Sequence, residues 1–188
     1  MGYFDDEKNV EQYIRMAEGY DGREFVPVLR SYLKDGATVL ELGMGPGKDL
    51  EILSEFFQVT GSDSSSAFVQ RYQKIDPAAD LMLLNAVTMD TDRRFDCIYS
   101  NKVLVHLTKE QLRQSLRGQS RVLNPDGILF HTLWYGNREE TFAGLRFVYY
   151  NEDTFRQLVG DAYEILEMEK YPEMEPDDSF YVVLRKAL

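Results

Sequence analysis

The sequence is poor in residues that bind metals or form crosslinks: it has one cysteine, Cys97, and two histidines, His106 and His131. A single cysteine cannot form an internal disulfide, and the apolar stretch around Cys97 predicts a small core residue in a protein of a reducing compartment. The cysteine and the histidines are too widely separated along the chain to predict a zinc site. We therefore expect no bound metal.

Long apolar runs are also missing. The sequence contains no 18 consecutive apolar residues, so it predicts no membrane-spanning helix. The first ten residues are acidic and lack the basic and apolar parts of a secretion signal, and Asp6 stands where a myristoylation signal requires serine or threonine. We expect a cytoplasmic protein without a membrane partner.

Basic residues are scarce relative to acidic ones. The chain has 21 lysines and arginines against 32 aspartates and glutamates, a formal net charge of -11. This charge repels a nucleic-acid backbone, and the sequence has no local basic patch that would compensate. The acidic stretch from Asp161 to Asp178 is typical of a solvated face. We expect no nucleic-acid partner.

The length and composition are those of one folded domain, with 188 residues of which 44% are apolar. Short apolar strand patterns alternate with helical patterns, which favours a parallel sheet covered on both faces. Strands are predicted at 38–43, 58–63, 81–84, 95–101 and 128–135. Helices are predicted at 8–18 and 23–34, after the glycine loop at 43–47, after Ser64–Ser66 and from Thr108 to about Leu123, with a turn at Asn124–Gly127.

The end of the chain departs from this alternation. A capped helix from Asn151 to Leu158 closes at Gly160, and strand patterns follow at 163–171 and 180–186. The short connection between these two strands has no helical pattern. We therefore expect them to pair antiparallel, because a parallel pair needs a longer crossover.

The most informative stretch is VLELGMGPG, residues 39 to 47, in which a strand runs directly into Gly43, Gly45 and Gly47. Glycines let the backbone turn sharply and approach a ligand at the carboxyl end of the first strand. A phosphate-binding P-loop is excluded because Leu42 stands where its first glycine is required and Asp49 replaces its hydroxyl. A dinucleotide fingerprint also fails, since the position of its last glycine holds a lysine or a leucine.

An acidic residue followed by Gly-x-Gly-x-Gly remains, and here the chain resembles the class I S-adenosylmethionine-dependent methyltransferases. Asp63, 20 residues after Gly43, matches the acidic residue that binds the ribose in this family. Asn85-Ala86 follows the third strand beside the expected adenine, and residues 95 to 107, FDCIYSNKVLVHL, are similar to the fourth-strand motif. The resemblance covers roughly residues 13 to 186.

The resemblance implies S-adenosyl-L-methionine as cofactor and a Rossmann-like three-layer sandwich, with a seven-stranded, mostly parallel sheet and an antiparallel C-terminal hairpin. Two positions depart from the family pattern: Asn85 replaces the commoner carboxylate, and Val105 stands where many members have a first histidine. The implied cofactor-binding residues are Glu41, Gly43, Gly45, Gly47, Asp63, Ser64, Asn85, Ala86, Ser100 and Asn101.

Methyl transfer from a sulfonium is an in-line displacement in which the cofactor carries the reactivity. Orientation alone can supply roughly 7 to 11 kcal/mol, so no catalytic triad is required. His106 is the candidate general base, although its apolar neighbours also fit a core histidine, and His131 fits a core residue. Aromatic residues that in this family flank the acceptor mouth are candidates for the substrate pocket: Tyr13, Tyr20, Tyr135, Tyr149 and Tyr150.

These observations predict a methyltransferase that acts on a small-molecule acceptor. The alternative is a protein that binds S-adenosylmethionine or its demethylated product, S-adenosylhomocysteine, without turnover. We expect one domain, residues 1–188, made of an N-terminal helical cap at 1–36, a cofactor-binding core at 37–135, a lid segment and helix at 136–160, and a C-terminal hairpin at 161–188. The acceptor atom and the oligomeric state stay open.

Overall fold

The fold was analysed in a computed structural model that describes residues 7–16 and 19–187. The α-helices are α1 (Glu7–Met16), α2 (Val26–Tyr32), α3 (Lys48–Ser54), α4 (Ser66–Ile75), α5 (Lys109–Val122) and α6 (Glu152–Val159). Short 3-10 helices span Arg23–Phe25, Leu104–His106 and Gly160–Ala162. The strands are β1 (Thr38–Leu42), β2 (Gln58–Asp63), β3 (Leu81–Leu83), β4 (Phe95–Asn101), β5 (Leu123–Trp134), β6 (Glu139–Phe142), β7 (Leu145–Val148), β8 (Tyr163–Tyr171) and β9 (Ser179–Lys186).

Seven strands form one sheet in the order β3-β2-β1-β4-β5-β9-β8. The first five are parallel, and β9 pairs antiparallel with both β5 and β8, which confirms the predicted sheet. The strand order reverses direction between β1 and β4. In open α/β sheets such a reversal leaves a crevice at the carboxyl ends of the strands, where ligands bind.

Two hydrophobic cores cover the two faces of the sheet. On one face α5 and α6 pack against residues such as Leu40 and Ile98. On the other face α2 and α3 pack against Val39, Cys97 and Tyr99. Cys97 is fully buried, as predicted, because successive residues of a strand point to opposite faces and both faces are covered here.

The predicted turn at Asn124–Gly127 lies within β5 as an irregularity of the ladder. Leu123 pairs with Phe95 and Ile128 with Cys97, so four residues of β5 stand opposite Asp96 alone. Asp126 adopts a positive φ of 62°, as a turn residue would. The predicted turn therefore corresponds to a local irregularity of the backbone, and β5 continues on both sides of it.

The segment predicted as a lid contains a two-stranded hairpin, β6–β7, that the sequence pattern did not predict. Its turn residues Ala143 and Gly144 have φ values of 50° and 85°, which suits a tight hairpin turn. All four residues of β6 are exposed, and Phe142 is 63% exposed. Such a strand has no buried face and so leaves no alternation of apolar and polar residues in the sequence.

Membrane-spanning helices and metal-binding clusters are both absent from the described ranges. None of the helices there is long and apolar enough to cross a membrane. The same residues contain no group of three histidine, cysteine, aspartate or glutamate side chains that could hold a metal ion.

Candidate cofactor and acceptor site

The glycine loop between β1 and α3 has a left-handed backbone at each of its glycines. The φ angles of Gly43, Gly45 and Gly47 are 66°, 50° and 86°, a region that other residues adopt only with strain. A Cβ atom at Gly43 would lie 2.6 Å from Val103, and one at Gly47 would lie 2.1 Å from the Tyr72 ring. The loop therefore needs glycine at these positions for its conformation and for its packing.

We expect Gly47→Ala to destabilise the protein by about 1 to 2 kcal/mol more than Gly36→Ala, because the added methyl group overlaps the buried ring of Tyr72. Gly36 is a matched control, since its φ is 78° and a Cβ there meets nothing within 4 Å. Urea unfolding of both variants gives the comparison. Equal losses would mean that Tyr72 moves aside and that only the backbone angle matters.

Asp63 ties the glycine loop to the end of β2. The backbone N–H of Gly45 donates to one carboxylate oxygen of Asp63 at 3.0 Å, and the N–H of Ser65 donates to the other at 2.8 Å. Burial raises the pKa of Asp63, while these backbone hydrogen bonds oppose the rise. Each oxygen accepts one described bond and keeps a lone pair for a ligand hydroxyl.

Glu41, at the carboxyl end of β1, is a buried acid with one carboxyl oxygen that no described residue satisfies. It is 3% exposed, and its Oε2 atom accepts no hydrogen bond from the described residues. Burial, with smaller contributions from Asp49 and Asp63, raises its pKa well above the usual range. A buried carboxyl group of this kind is costly unless a ligand satisfies it, and an ammonium group would do so.

Asp49 joins the N-terminal segment to the sheet and was missed as a functional residue by sequence reasoning. Its carboxylate accepts hydrogen bonds from Gly22 N–H at 2.7 Å, from the Tyr99 hydroxyl at 2.6 Å and from the Asn101 amide at 3.0 Å. The Asn101 carbonyl in turn accepts from Thr132 at 2.6 Å. An acid in the first turn of a helix is common for electrostatic reasons alone, so its position along the chain does not indicate a functional role.

Glu41, Asp49 and the glycines Gly43 and Gly45 line a cavity of about 280 Å³ at the crevice between β1 and β4. Asp63 lies beside this cavity, bonded to Gly45. The lining of the cavity includes six predicted residues, namely Tyr13, Tyr20, Glu41, Gly43, Gly45 and Asn101, and it adds the unpredicted Asp21, Glu24, Lys48, Asp49, Lys102 and Glu173. The volume lies at the lower end of the range for small-molecule sites. The N-terminal segment forms one wall, and the turn after β8 forms another.

A second cavity, of about 440 Å³, lies between the β6–β7 hairpin and the turn that joins β8 to β9. It is lined by aromatic residues that include Trp134 and the predicted Tyr135 and Tyr149. The Tyr135 hydroxyl donates to Glu152 at 2.8 Å, and the Tyr149 hydroxyl donates to Glu140 at 2.6 Å. Tyr13 and Tyr20 therefore line the first cavity, whereas Tyr135 and Tyr149 line the second.

Eight predicted site residues line neither cavity: Gly47, Asp63, Ser64, Asn85, Ala86, Ser100, His106 and Tyr150. Ser100 is fully buried on the opposite face of β4 from Asn101, and its hydroxyl bonds to His131 at 2.8 Å. Tyr150 is fully buried in the core, edge-on to Phe155, so it belongs to the packing of α6. His106 packs edge-on against an aromatic ring of β7, and its Nδ1 lies 2.7 Å from a β7 carbonyl oxygen. These placements do not support direct contact with the cavity contents.

The predicted adenine-side residues lie along the same edge of the sheet, outside the cavity. Asn85 and Ala86 follow β3, where the Asn85 side chain accepts the Val87 N–H at 2.8 Å and the Ala86 carbonyl accepts the Ser115 hydroxyl at 2.6 Å. Ser64 is exposed beside Asp63. The structure thus brings the loop, β1 and β4 residues together at the cavity, joins Asp63 of β2 to the loop through Gly45, and leaves Ser64, Asn85 and Ala86 outside the cavity lining.

Comparison with known proteins agrees with this geometry. Residues 39–127 match the family model described as a methyltransferase domain. An uncharacterized methyltransferase of Bacillus licheniformis is 30% identical over 180 residues, which covers 90% of this chain and 77% of that protein.

Solved structures share the fold. The 1,6-didemethyltoxoflavin-N1-methyltransferase of Burkholderia thailandensis, solved with 1,6-didemethyltoxoflavin and S-adenosylhomocysteine, has a TM-score of 0.73 at 19% identity, covering 86% of this chain and 76% of that one. An S-adenosylmethionine-dependent methyltransferase of Clostridium acetobutylicum has a TM-score of 0.74 at 12% identity, covering 97% and 100%. The family match, the relative and the fold together identify the chain as a member of the class I S-adenosylmethionine-dependent methyltransferases.

Proposed function

We propose that the protein methylates a small-molecule acceptor and that the cavity between β1 and β4 holds the methionine half of the cofactor. The observation that carries the proposal is Glu41, a buried acid with one carboxyl oxygen that no described residue satisfies, on a cavity walled by Gly43 and Gly45. An ammonium group on the cofactor would satisfy it. An ammonium donor suits a buried carboxylate best, because it supplies both a hydrogen bond and the opposite charge.

The residues of the chain fit the rest of the cofactor. Asp63 has lone pairs available for the ribose hydroxyls, and Asn85 and Ala86 lie at the next strand end for the adenine. When bound, S-adenosylmethionine supplies a methyl group on a sulfonium sulfur that a nucleophile can displace in line. The protein contributes orientation: Asp49 fixes Asn101 and the N-terminal wall relative to the glycine loop.

A small acceptor is supported by the dimensions and charge of the site. The cavity walls contributed by Tyr13, Tyr20 and the turn after β8 leave about 280 Å³, and the second cavity beside Trp134 is also of small-molecule size. The net charge of -11 disfavours a nucleic-acid acceptor. The Burkholderia thailandensis structure, with 1,6-didemethyltoxoflavin bound, is consistent with such an acceptor.

The test is a thermal shift. At about ten times their Kd, S-adenosylmethionine and S-adenosylhomocysteine should each stabilise the native protein by about 1.4 kcal/mol and raise its Tm by several degrees. NAD, NADP and ATP should not, because the glycine spacing fits neither fingerprint. A shift with NADPH and none with S-adenosylmethionine would overturn the proposed cofactor site.

Turnover separates the enzyme from the non-catalytic alternative. Labelled methyl incorporation into a pool of small metabolites is the expected result, whereas a sensor would bind the cofactor and label nothing.

A cytoplasmic location and the division into cap, core, lid segment and hairpin remain part of the proposal. The location is supported by the single cysteine, which is buried in β4.

A further inference from the structure

We propose that the acceptor is an amine, captured as its ammonium form between Glu24 and Glu173 at the mouth of the cofactor cavity. The inference rests on the proposed function, because it takes the same cavity to hold the cofactor. It adds the chemical class of the acceptor and two residues that select it.

The cavity lining carries more negative charge than the proposed binding of the cofactor requires. Five acidic residues and two lysines line it, a formal charge of -3: Asp21, Glu24, Glu41, Asp49, Glu173, Lys48 and Lys102. Asp49 is occupied by three hydrogen-bond donors, and Asp21 accepts the backbone N–H of Arg23 at 3.0 Å. With Glu41 assigned to the cofactor, Glu24 remains for the acceptor, together with the Oε1 atom of Glu173, whose Oε2 accepts from Lys102, Tyr171 and Ser179.

Glu24 and Glu173 approach the same space from different walls. Glu24 lies in the 3-10 helix before α2, and Glu173 lies in the turn after β8. Burial and then the charge of Glu173 raise the pKa of Glu24, and the charge of Lys102 partly opposes this rise. Burial followed by Asp63, Asp49 and Glu173 likewise raises the pKa of Tyr13, so the negative field extends across the cavity.

The chain itself already places an ammonium group in these surroundings. Lys102 Nζ lies 3.7 Å from the centre of the Trp134 ring and 5.1 Å from that of Tyr171, and it donates to Glu173 and, at 2.7 Å, to Ser179. Aromatic faces combined with carboxylates are the usual surroundings of bound organic cations. The wall is therefore chemically suited to a second ammonium group.

One lysine does not neutralise both carboxylates. Lys102 contacts Glu173, whereas Glu24 forms no ion pair with any residue the structure describes. The buried Oε2 of Glu41 on the same cavity also accepts no hydrogen bond from the described residues, which points to a hydrogen-bond donor among the ligands of this cavity. Once the cofactor ammonium has satisfied Glu41, an acceptor ammonium between Glu24 and Glu173 offsets the remaining charge.

An ammonium nitrogen must lose a proton before it can act as a nucleophile. Glu24 is positioned to accept that proton, becoming a neutral carboxyl group, and because it is exposed it can pass the proton to water. The nitrogen lone pair then forms the bond to the methyl carbon, while the carbon–sulfur bond breaks and its electron pair stays on sulfur. The methylated product leaves as an ammonium ion.

The test compares three probes of the same shape by calorimetry on the full chain saturated with S-adenosylhomocysteine: 2-phenylethylammonium, 2-phenylethanol and phenylacetate. We expect the ammonium to bind at least 10-fold more tightly than the alcohol, and phenylacetate to bind more weakly still. The double variant Glu24→Gln, Glu173→Gln should lose this preference. Glu164→Gln, which removes an exposed carboxylate at the other end of β8, should keep it.

The outcomes separate the two proposals. If S-adenosylhomocysteine binds but the alcohol or phenylacetate equals the ammonium, or if no ammonium binding is detected, the amine assignment is wrong and the cofactor site stands. A preference that survives in the double variant also overturns it. If S-adenosylhomocysteine itself does not bind, the proposed cofactor site is wrong, and the amine assignment that rests on it is wrong as well.

Discussion

Asp63→Ala should weaken S-adenosylhomocysteine binding by about 30- to 150-fold, or about 2 to 3 kcal/mol. The substitution removes the carboxylate proposed to accept the ribose hydroxyls, and it also releases the N–H groups of Gly45 and Ser65 that this carboxylate holds at 3.0 and 2.8 Å. The loss of the ribose contact weakens the bound state, and the loss of the two backbone hydrogen bonds loosens the glycine loop in the free protein. Calorimetry on the folded variant measures the loss directly.

Asp76→Ala is the matched control for Asp63→Ala. Asp76 accepts the backbone N–H two residues ahead, from Ala78 at 3.0 Å, in the same local pattern as Asp63 and Ser65, but at the end of α4 away from the cavity. It should leave binding unchanged. Unchanged affinity in Asp63→Ala as well would restrict Asp63 to a structural role in the loop.

The parts of the site that the sequence predicted are those encoded by neighbouring residues. The strand, the three glycines and the following helix form one continuous stretch, so periodicity and glycine spacing suffice to identify them. Asp63 lies at the end of the next strand, and parallel strands bring their carboxyl ends to one edge. The same reasoning placed Asn101 correctly at the crevice but did not distinguish it from Ser100, because the sequence does not say which face of β4 the crevice occupies.

The parts that escaped prediction depend on contacts between distant residues. Asp49 receives donors from residues 27, 50 and 52 positions away, and Lys102 meets Glu173 across 71 positions. A single sequence carries no signal for such pairs. The resemblance to the family predicted that Tyr150 flanks the mouth of the acceptor pocket, yet the packing of α6 against the sheet buries it.

His131 should make the stability of the fold strongly dependent on pH. It is fully buried, and burial lowers its pKa from 6.5 to about 3. Its Nε2 donates to the Gln119 side-chain oxygen at 2.9 Å and its Nδ1 accepts from Ser100 at 2.8 Å, the hydrogen-bond pattern of a neutral ring. Gln119 continues this buried network through Ser115 to the Ala86 carbonyl.

The direction of the pH effect follows from the two pKa values. Between pH 6.5 and about 3 the unfolded state binds a proton that the folded state does not, so the contribution of His131 is complete above pH 6.5 and is lost as the pH falls. The loss is about 2 kcal/mol by pH 5 and about 4 to 5 kcal/mol by pH 3. Glu41 and Asp63, whose pKa values are raised, act in the opposite direction.

The contribution of His131 is therefore measured by comparing how the stability of the unmodified chain and of a His131 variant changes with pH. His131→Leu should be less stable at pH 7, because it leaves Ser100 and Gln119 unsatisfied, but it should lose about 2 kcal/mol less than the unmodified chain between pH 7 and 5. Ser100→Ala keeps the histidine and should keep the steep dependence. If His131→Leu does not fold, NMR titration of the two histidines in the unmodified protein decides: a His131 ring that titrates near pH 6.5 in the folded state would remove the effect, because the buried network would then tolerate the charged ring.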